Sequence, residues 1–286
     1  MSRLFCFGLG YSAAVLARTL SGAGWTIAGT TRDAATCAAL AAEGYAMHRF
    51  SRERPLRDPD AALAGATHLL LSVPPDERGD PVLECHGAAV AELSGLRWLG
   101  YLSTTGVYGD RGGGWVDEDT PPRPAGERGR RRLAAEQAWQ SLAQAHGLPL
   151  HIFRLAGIYG PGRSAFDTVR AGRAQIVDKP GHVFSRIHVE DLAAVLRASI
   201  DRPRPGAVYA VCDDEAAPPG DVIAFACALL GVAPPVPVPF DAAALSPMAR
   251  SFYADNKRVA NRRIKEELGV RLRYPTYREG LRALMR

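Results

Sequence analysis

Lysine is nearly absent from this 286-residue chain, occurring only at Lys179, Lys257 and Lys265, so the formal net charge of +5 comes from arginine. A basic surface of this kind suits nucleic acid, an anionic cofactor and an anionic substrate equally well. Cysteine is scarce as well. Cys6, Cys37, Cys85, Cys212 and Cys227 are odd in number, widely spaced and without a CxxC pair, which excludes a disulfide framework or zinc ribbon and leaves reduced, mostly buried thiols. The seven histidines include no pair at HExxH spacing, and no metal site is expected. No apolar run nears the roughly 20 residues that cross a bilayer. Met1-Ser2-Arg3 is followed by only four apolar residues before Gly8, too few for a secretory signal, so no membrane partner and a cytoplasmic location are expected. Internal repeats, low-complexity tracts and long polar linkers are also missing. A hydrophobic content of 47% is enough for one large α/β domain, or for such a domain with a smaller appendage.

What is present begins at the turn Gly8-Leu9-Gly10-Tyr11-Ser12-Ala13, between the apolar run Leu4–Phe7 and the Ala/Leu/Val-rich stretch from Ala13 to Leu20. This context puts a glycine-rich loop between a buried strand and a helix. Gly8 permits a tight turn, Gly10 removes a Cβ so that backbone can approach a pyrophosphate, and Ala13 lets helix and strand pack closely. Tyr11, Ser12 and Ala13 then open a helix whose N–H groups and dipole favour phosphate.

Further strands are predicted at 25–30, 67–73, 96–103 and 150–155, and helices at about 34–43, 84–94 and 131–146. Apolar strands separated by helices imply a doubly wound α/β parallel sheet covered on both faces. Ligands of such sheets bind at the carboxyl ends of the strands, so Gly10, Thr31, Arg32, Ser72, Val73, Pro74 and Ser103 are expected to face one crevice, with Leu155 closing the 150–155 strand. After about Tyr159 the texture becomes rich in loops and proline. The expected division is a dinucleotide-binding core over 1–158, completed by about 186–212, with 159–185 and 213–286 forming a smaller substrate-binding lobe.

Three segments carry a resemblance: Ser103-Thr104-Thr105-Gly106-Val107-Tyr108-Gly109-Asp110, Arg154-Leu155-Ala156-Gly157-Ile158-Tyr159-Gly160-Pro161-Gly162-Arg163, and Arg186-Ile187-His188-Val189-Glu190-Asp191-Leu192-Ala193. With Val208–Asp213 and the closing Tyr274–Leu281, their order and spacing resemble the atypical and extended short-chain dehydrogenase/reductases, which include the NAD(P)-dependent epimerases and dehydratases. The resemblance covers nearly the whole chain and implies a Rossmann fold.

The departures from that family matter for function. Its members carry a Tyr-x-x-x-Lys pair that moves a proton at the substrate oxygen and holds the cofactor ribose. Counting back from Leu133-x-x-Glu136, Arg128 takes the tyrosine position here and Arg132 the lysine position. A guanidinium is too weak an acid to shuttle a proton near neutrality. Arg132 retains donors suited to the ribose hydroxyls, and Arg128 suits an anionic or carbonyl group. Thr104 matches the family's Ser/Thr at the substrate oxygen, although a hydroxyl at a strand end also serves as a backbone cap. Tyr108 and Tyr159 are two phenols that offer a replacement acid. His188 reads as structural.

Thr31-Arg32 stands where an acid would bind the 2′-hydroxyl of NAD(H), so NADP(H) is favoured and NAD(H) stays open; His48–Ser51 stands where the family carries an adenine-flanking Asp. Two function classes follow: an oxidoreductase, epimerase or dehydratase acting on a small carbonyl or nucleotide-sugar substrate, or a dinucleotide-binding sensor without catalysis. Nucleic acid is not an expected partner, because the arginine cluster carries no interleaved aromatics. The apolar stripe of Ala135, Ala138, Trp139 and Leu142 suits either a homodimer face or a core-facing helix.

Overall fold

A computed structural model of the chain describes residues 2–285, apart from the side chains of Pro247 and Met248. The chain alternates from its start: β1 (Arg3–Phe7), α1 (Tyr11–Gly22), β2 (Thr26–Thr31), α2 (Ala34–Ala42), β3 (Ala46–Arg49), α3 (Pro59–Leu63), β4 (His68–Leu71), α4 (Pro81–Ala91) and β5 (Trp98–Thr104). A 3-10 turn over Thr105–Tyr108 and β6 (Trp115–Val116) precede α5 (Glu127–His146) and β7 (Leu150–Leu155). There follow β8 (Gly157–Tyr159), α6 (Ala165–Arg170), β9 (Val177–Asp178), β10 (Arg186–His188), α7 (Val189–Asp201) and β11 (Val208–Val211). The remainder holds α8 (Pro219–Leu230), β12 (Val238–Pro239), α9 (Pro247–Phe252), β13 (Arg258–Val259), α10 (Arg262–Glu266) and α11 (Tyr277–Leu284).

Seven strands form one sheet in the order β11-β7-β5-β4-β1-β2-β3, with β2 and β4 parallel to β1, β3 parallel to β2 and β5 parallel to β4. This is the expected doubly wound sheet. The strand order reverses between β1 and β4, and that switch point is where sheets of this kind bind ligands.

The sheet is buried on both faces because its central strands are apolar at every position rather than at every second one. Phe5, Phe7, Leu69, Leu71, Leu99, Tyr101, Leu150 and Ile152 alternate onto one face, where Val82 and Val90 of α4 and Ala135, Trp139 and Ala143 of α5 cover them. The stripe on α5 is therefore used inside the protomer. On the opposite face the Trp98 indole donates to Ser199 Oγ of α7 at 3.0 Å and stacks 5.9 Å from His151. Each fully buried Leu or Phe contributes about 1.5–3 kcal/mol, so this two-sided burial is the main support of the sheet.

Helix starts differ from the sequence reading for identifiable reasons. α4 begins at Pro81 rather than Glu84, since Asp80 caps it by accepting from Val82 N at 2.9 Å and Leu83 N at 3.1 Å, and proline is tolerated at the first helical position. α5 begins at Glu127 rather than Arg131, because its first turn is charged and shows no apolar period. The proline-rich tail contains a full helix, α8, whose Pro219 also stands at the helix start.

The chain divides into two compact units. Unit 1 comprises the residues up to Ser103, Arg130–Arg154 and Ala193–Tyr209. Unit 2 comprises Thr104–Gly129, Leu155–Leu192 and the residues from Ala210 onward. Unit 2 has its own core of Tyr159, Phe166, Ala217, Val222, Ala226, Tyr277 and Leu281.

Candidate functional site

The glycine turn closes β1 at the switch point of unit 1. Gly8 has φ +84°, and a Cβ there would lie 3.0 Å from Val73 Cγ2 and 3.2 Å from Val73 N, so both conformation and space require glycine. Its N–H donates to Thr30 Oγ1 at 2.9 Å, and Leu9 N donates to Thr30 O at 2.7 Å. These contacts draw the turn onto the ends of β2 and β4, bringing Gly8, Ser72 and Val73 together with Pro74 next in the chain.

Gly10 differs. Its φ is −102°, and the nearest atom to a Cβ built there is Gly8 O at 3.9 Å, so nothing inside the protein excludes a side chain. Gly10 is also the N-cap of α1 and supplies no side-chain cap, while Ala13 is fully buried against the sheet. Open space before a helix start, bordered by Gly10, Tyr11 and Ser12, is what backbone recognition of a phosphate requires.

The ends of β2 and β3 carry two arginines. Thr31 pairs in register with Arg49, whose Nε donates to Arg32 O at 3.4 Å. The neighbouring acid is engaged elsewhere: Asp33 Oδ1 accepts from Thr36 N at 2.7 Å and Thr36 Oγ1 at 2.8 Å, capping α2. These bonds hold the Asp33 carboxyl below its usual range. Arg49 was not among the expected site residues, although its place at a strand end marks it.

At the end of β5, Ser103 donates to the buried Glu136 of α5, which also accepts from Arg154 Nη2 at 2.9 Å and Nε at 3.3 Å. Glu136 is 1% exposed and Arg154 6%. This pair is absent from the residues expected above; its signal is a charge at an otherwise apolar position of a strand and of a helix face. Arg132, one turn before Glu136, donates to Leu102 O and lies 5.7 Å from the Tyr101 ring centroid. Arg132 and Ser103 thus converge on the carboxyl end of β5. A second omission is Arg52, whose Nε and Nη2 bind the two oxygens of Asp76 at 2.9 and 2.8 Å while Nη2 reaches Gly79 O at 3.0 Å. This fork pins the loop that follows Pro74 and Pro75.

Thr104, Tyr108, Arg128 and Leu155 lie in unit 2. Thr104 Oγ1 accepts from Gly106 N at 3.1 Å and caps the 3-10 turn, which leaves its O–H to donate. Thr105 Oγ1 donates to Leu155 O at 3.4 Å. Tyr108 is fully buried, and Tyr159 donates to Thr276 O at 3.4 Å. The first turn of α5 approaches the 104–108 turn because residue 129 is glycine: a Cβ there would meet Gly106 O at 2.8 Å. Arg128 is exposed, and its guanidinium lies 5.3 Å from the Phe252 ring centroid, within cation–π range. His188 is structural, buried with its ring 4.1 Å from Tyr274 and its Nδ1 accepting from Glu190 N at 3.3 Å. Among the described residues no cluster of His, Cys, Asp and Glu is arranged to hold a metal, and no helix is long and apolar enough to cross a membrane.

The model of the NAD dependent epimerase/dehydratase family matches residues 86–212. Protein YeeZ of Escherichia coli K12 is 30% identical over 221 residues, covering 74% of this chain and 78% of that protein. A functionally unknown conserved protein of Silicibacter pomeroyi DSS is 55% identical, with a TM-score of 0.92 over 100% of this chain and 98% of the other. The dTDP-glucose 4,6-dehydratase of Bacillus anthracis Ames, solved in complex with NAD, is 16% identical but has a TM-score of 0.80 over 99% of this chain and 95% of its own. With the switch-point turn and the sheet order on the same chain, these likenesses have one reading: the chain belongs to the NAD-dependent epimerase/dehydratase family.

Proposed function

We propose that the chain binds NADP(H) and acts as an oxidoreductase, epimerase or dehydratase on a small carbonyl or nucleotide-sugar substrate, in the cytoplasm. The observation that carries the cofactor choice is the pair of exposed arginines, Arg32 and Arg49, beside an Asp33 committed to capping α2. An acid free to bind a 2′-hydroxyl would favour NAD(H), whereas guanidiniums favour a 2′-phosphate. The open approach to Gly10 fits the pyrophosphate, with Tyr11, Ser12 and Ala13 opening the helix behind it. Ser72, Val73 and Pro74 border the turn. Arg132 has donors left for the ribose hydroxyls, and Ser103 and Leu155 complete the proposed cofactor contacts. Five free cysteines suit a reducing compartment.

When bound, the nicotinamide supplies hydride transfer; the chain has to hold the substrate oxygen and manage its proton. In our reading the Thr104 O–H donates to that oxygen. Arg128, replacing the family's tyrosine, stabilises negative charge there as a hydrogen-bond donor and takes no part in moving the proton. Tyr108 follows Thr104 across the 3-10 turn, and its full burial favours a structural part. The missing Tyr-Lys pair favours a second reading, a dinucleotide-binding sensor without turnover.

A thermal-shift screen with NADPH, NADH and dTDP-glucose tests the proposal, since a ligand that binds the native state raises the melting temperature. NADPH is expected to give the largest shift. A larger shift with NADH contradicts the cofactor assignment, and cofactor binding without turnover on any carbonyl or sugar nucleotide selects the sensor reading.

A further inference from the structure

Among the described residues the exposed guanidinium of Arg128 makes no hydrogen bond and no ion pair. It lies over the ring of Phe252, 5.3 Å from the centroid. A guanidinium stacked on an aromatic face keeps all its N–H donors, because they point outward in its own plane and not into the ring. The stack therefore orients the fork without occupying it.

Both members of the stack stand on anchored backbone. Next to Arg128, a Cβ at Gly129 would meet Gly106 O at 2.8 Å and Pro124 Cβ at 2.9 Å, so this end of α5 packs directly on the turn that Thr104 caps. Phe252 closes α9, and the residue after it, Tyr253, is buried among His182, Phe184 and Phe240, with ring centroids at 5.1, 5.4 and 5.4 Å. Lys179 adds a hydrogen bond to Tyr253 O. Although its neighbour is fixed in this way, the Phe252 ring is 52% exposed. Thr104, Arg128 and Phe252 all belong to unit 2. A hydroxyl, an unoccupied planar cation and an uncovered apolar ring thus stand on one rigid part of the chain.

Resting on the substrate role given above to Thr104 and Arg128, we propose that the substrate is a 2-oxo or 2-hydroxy acid with an apolar side chain. Thr104 donates to the oxygen on C2, Arg128 binds the neighbouring carboxylate in the plane of its guanidinium, and the exposed part of the Phe252 ring packs on the side chain. One fork of coplanar donors is matched by the two oxygens of one carboxylate, and the oxygen on the adjacent carbon lies within reach of the same fork. An arginine at the family's tyrosine position then recognises an anion beside the reacting carbon instead of moving a proton. Phe252 sets specificity, since covering its ring removes apolar surface from water. The proposal narrows the substrate class from any small carbonyl or nucleotide sugar to one kind of acid.

Calorimetric titration of the full chain, with and without saturating NADP+, using phenylpyruvate, its methyl ester, phenylacetate and pyruvate tests the inference. Phenylpyruvate is expected to bind best. The ester keeps the carbonyl but loses the charge and should bind about tenfold more weakly, and phenylacetate and pyruvate, which lack the C2 oxygen and the apolar side chain, should each be weaker as well. Arg128→Lys keeps the charge but not the fork and should weaken phenylpyruvate about tenfold while leaving the ester unchanged. Phe252→Ala should weaken phenylpyruvate about threefold and pyruvate hardly at all. Both side chains are exposed, so both variants should melt like the parent. No binding of phenylpyruvate under either condition, equal affinity for acid and ester, phenylacetate binding as well as phenylpyruvate, or phenylpyruvate affinity untouched by Arg128→Lys overturns the proposal. Separate titration with NADP+ keeps the two readings apart: a chain that binds NADP+ but no 2-oxo acid defeats this inference alone, and one that binds phenylpyruvate through Arg128 but no dinucleotide defeats the cofactor reading alone.

Discussion

Removing the Arg32 guanidinium is expected to erase most of the proposed preference for NADPH over NADH. Arg32 is exposed at the end of β2, with Arg49 beside it and the Asp33 carboxylate held by Thr36. A charge-assisted contact to phosphate is worth about 1.5–3 kcal/mol, so Arg32→Ala should weaken NADPH binding about 10- to 150-fold. NADH lacks the 2′-phosphate, and its affinity should change less than about twofold. Arg49→Ala should act in the same direction, and the double variant should lose more than either single one. Because the pair is exposed, discrimination should also shrink as salt rises from 0.15 to 1 M, where the Debye length falls from about 8 to about 3 Å. Calorimetric titration of both cofactors against each variant measures all of this. An equal loss of NADPH and NADH affinity on Arg32→Ala would refute the reasoning, since Arg32 would then serve something common to both.

The remaining predictions concern stability and chemistry. Glu136→Ala leaves the buried Arg154 guanidinium without its carboxylate and is expected to cost about 3–5 kcal/mol in denaturant unfolding, against about 1 kcal/mol for Ser103→Ala; similar values for the two would mean that the pair is not the support of the β5 end. His68 and His151 are buried, and burial holds their imidazoles down to about 4. Their contribution is complete above the unfolded value of about 6.5 and is lost as pH falls towards 4, by up to about 3 kcal/mol each. Asp213, raised to about 8, works in the opposite sense, losing stability as pH rises from about 4 to 8, so the test is the melting temperature of Asp213→Asn between pH 7 and pH 4.5. A flat profile in that variant contradicts the histidine assignment. Lacking the Tyr-Lys relay, native protein is expected to turn over a small carbonyl or sugar nucleotide only slowly, and Thr104→Ala is expected to lower that rate further; robust turnover that survives Thr104→Ala, Tyr108→Phe and Tyr159→Phe singly would put the oxygen-binding group and the acid elsewhere.

Much of the sheet is legible in the sequence, because strands buried on both faces are written as unbroken apolar runs. Leu150–Leu155 has the same limits in sequence and structure, and the glycine turn fell between its expected strand and helix. Helix starts were harder to read. Asp80-Pro81 and the arginine-rich first turn of α5 carry capping and charge rather than apolar periodicity, and α8 was hidden behind prolines that are tolerated at a first turn. Within the candidate site, residues whose role is set by chain geometry were visible, such as Gly8 and Gly10. Residues whose role depends on a partner far along the chain were not: Glu136 needs Arg154, Arg52 needs Asp76, and Gly129 needs Gly106 before any of them has a meaning.

The most direct test of the central claim is a titration of Gly10→Val with NADPH. The parent backbone leaves only Gly8 O, at 3.9 Å, near a Cβ at residue 10, so the substitution should leave melting nearly unchanged while filling the space before α1. Loss of measurable NADPH binding in a protein that melts like its parent is the predicted result. Equal affinity of variant and parent would contradict the account, because the dinucleotide would then bind somewhere other than the glycine turn.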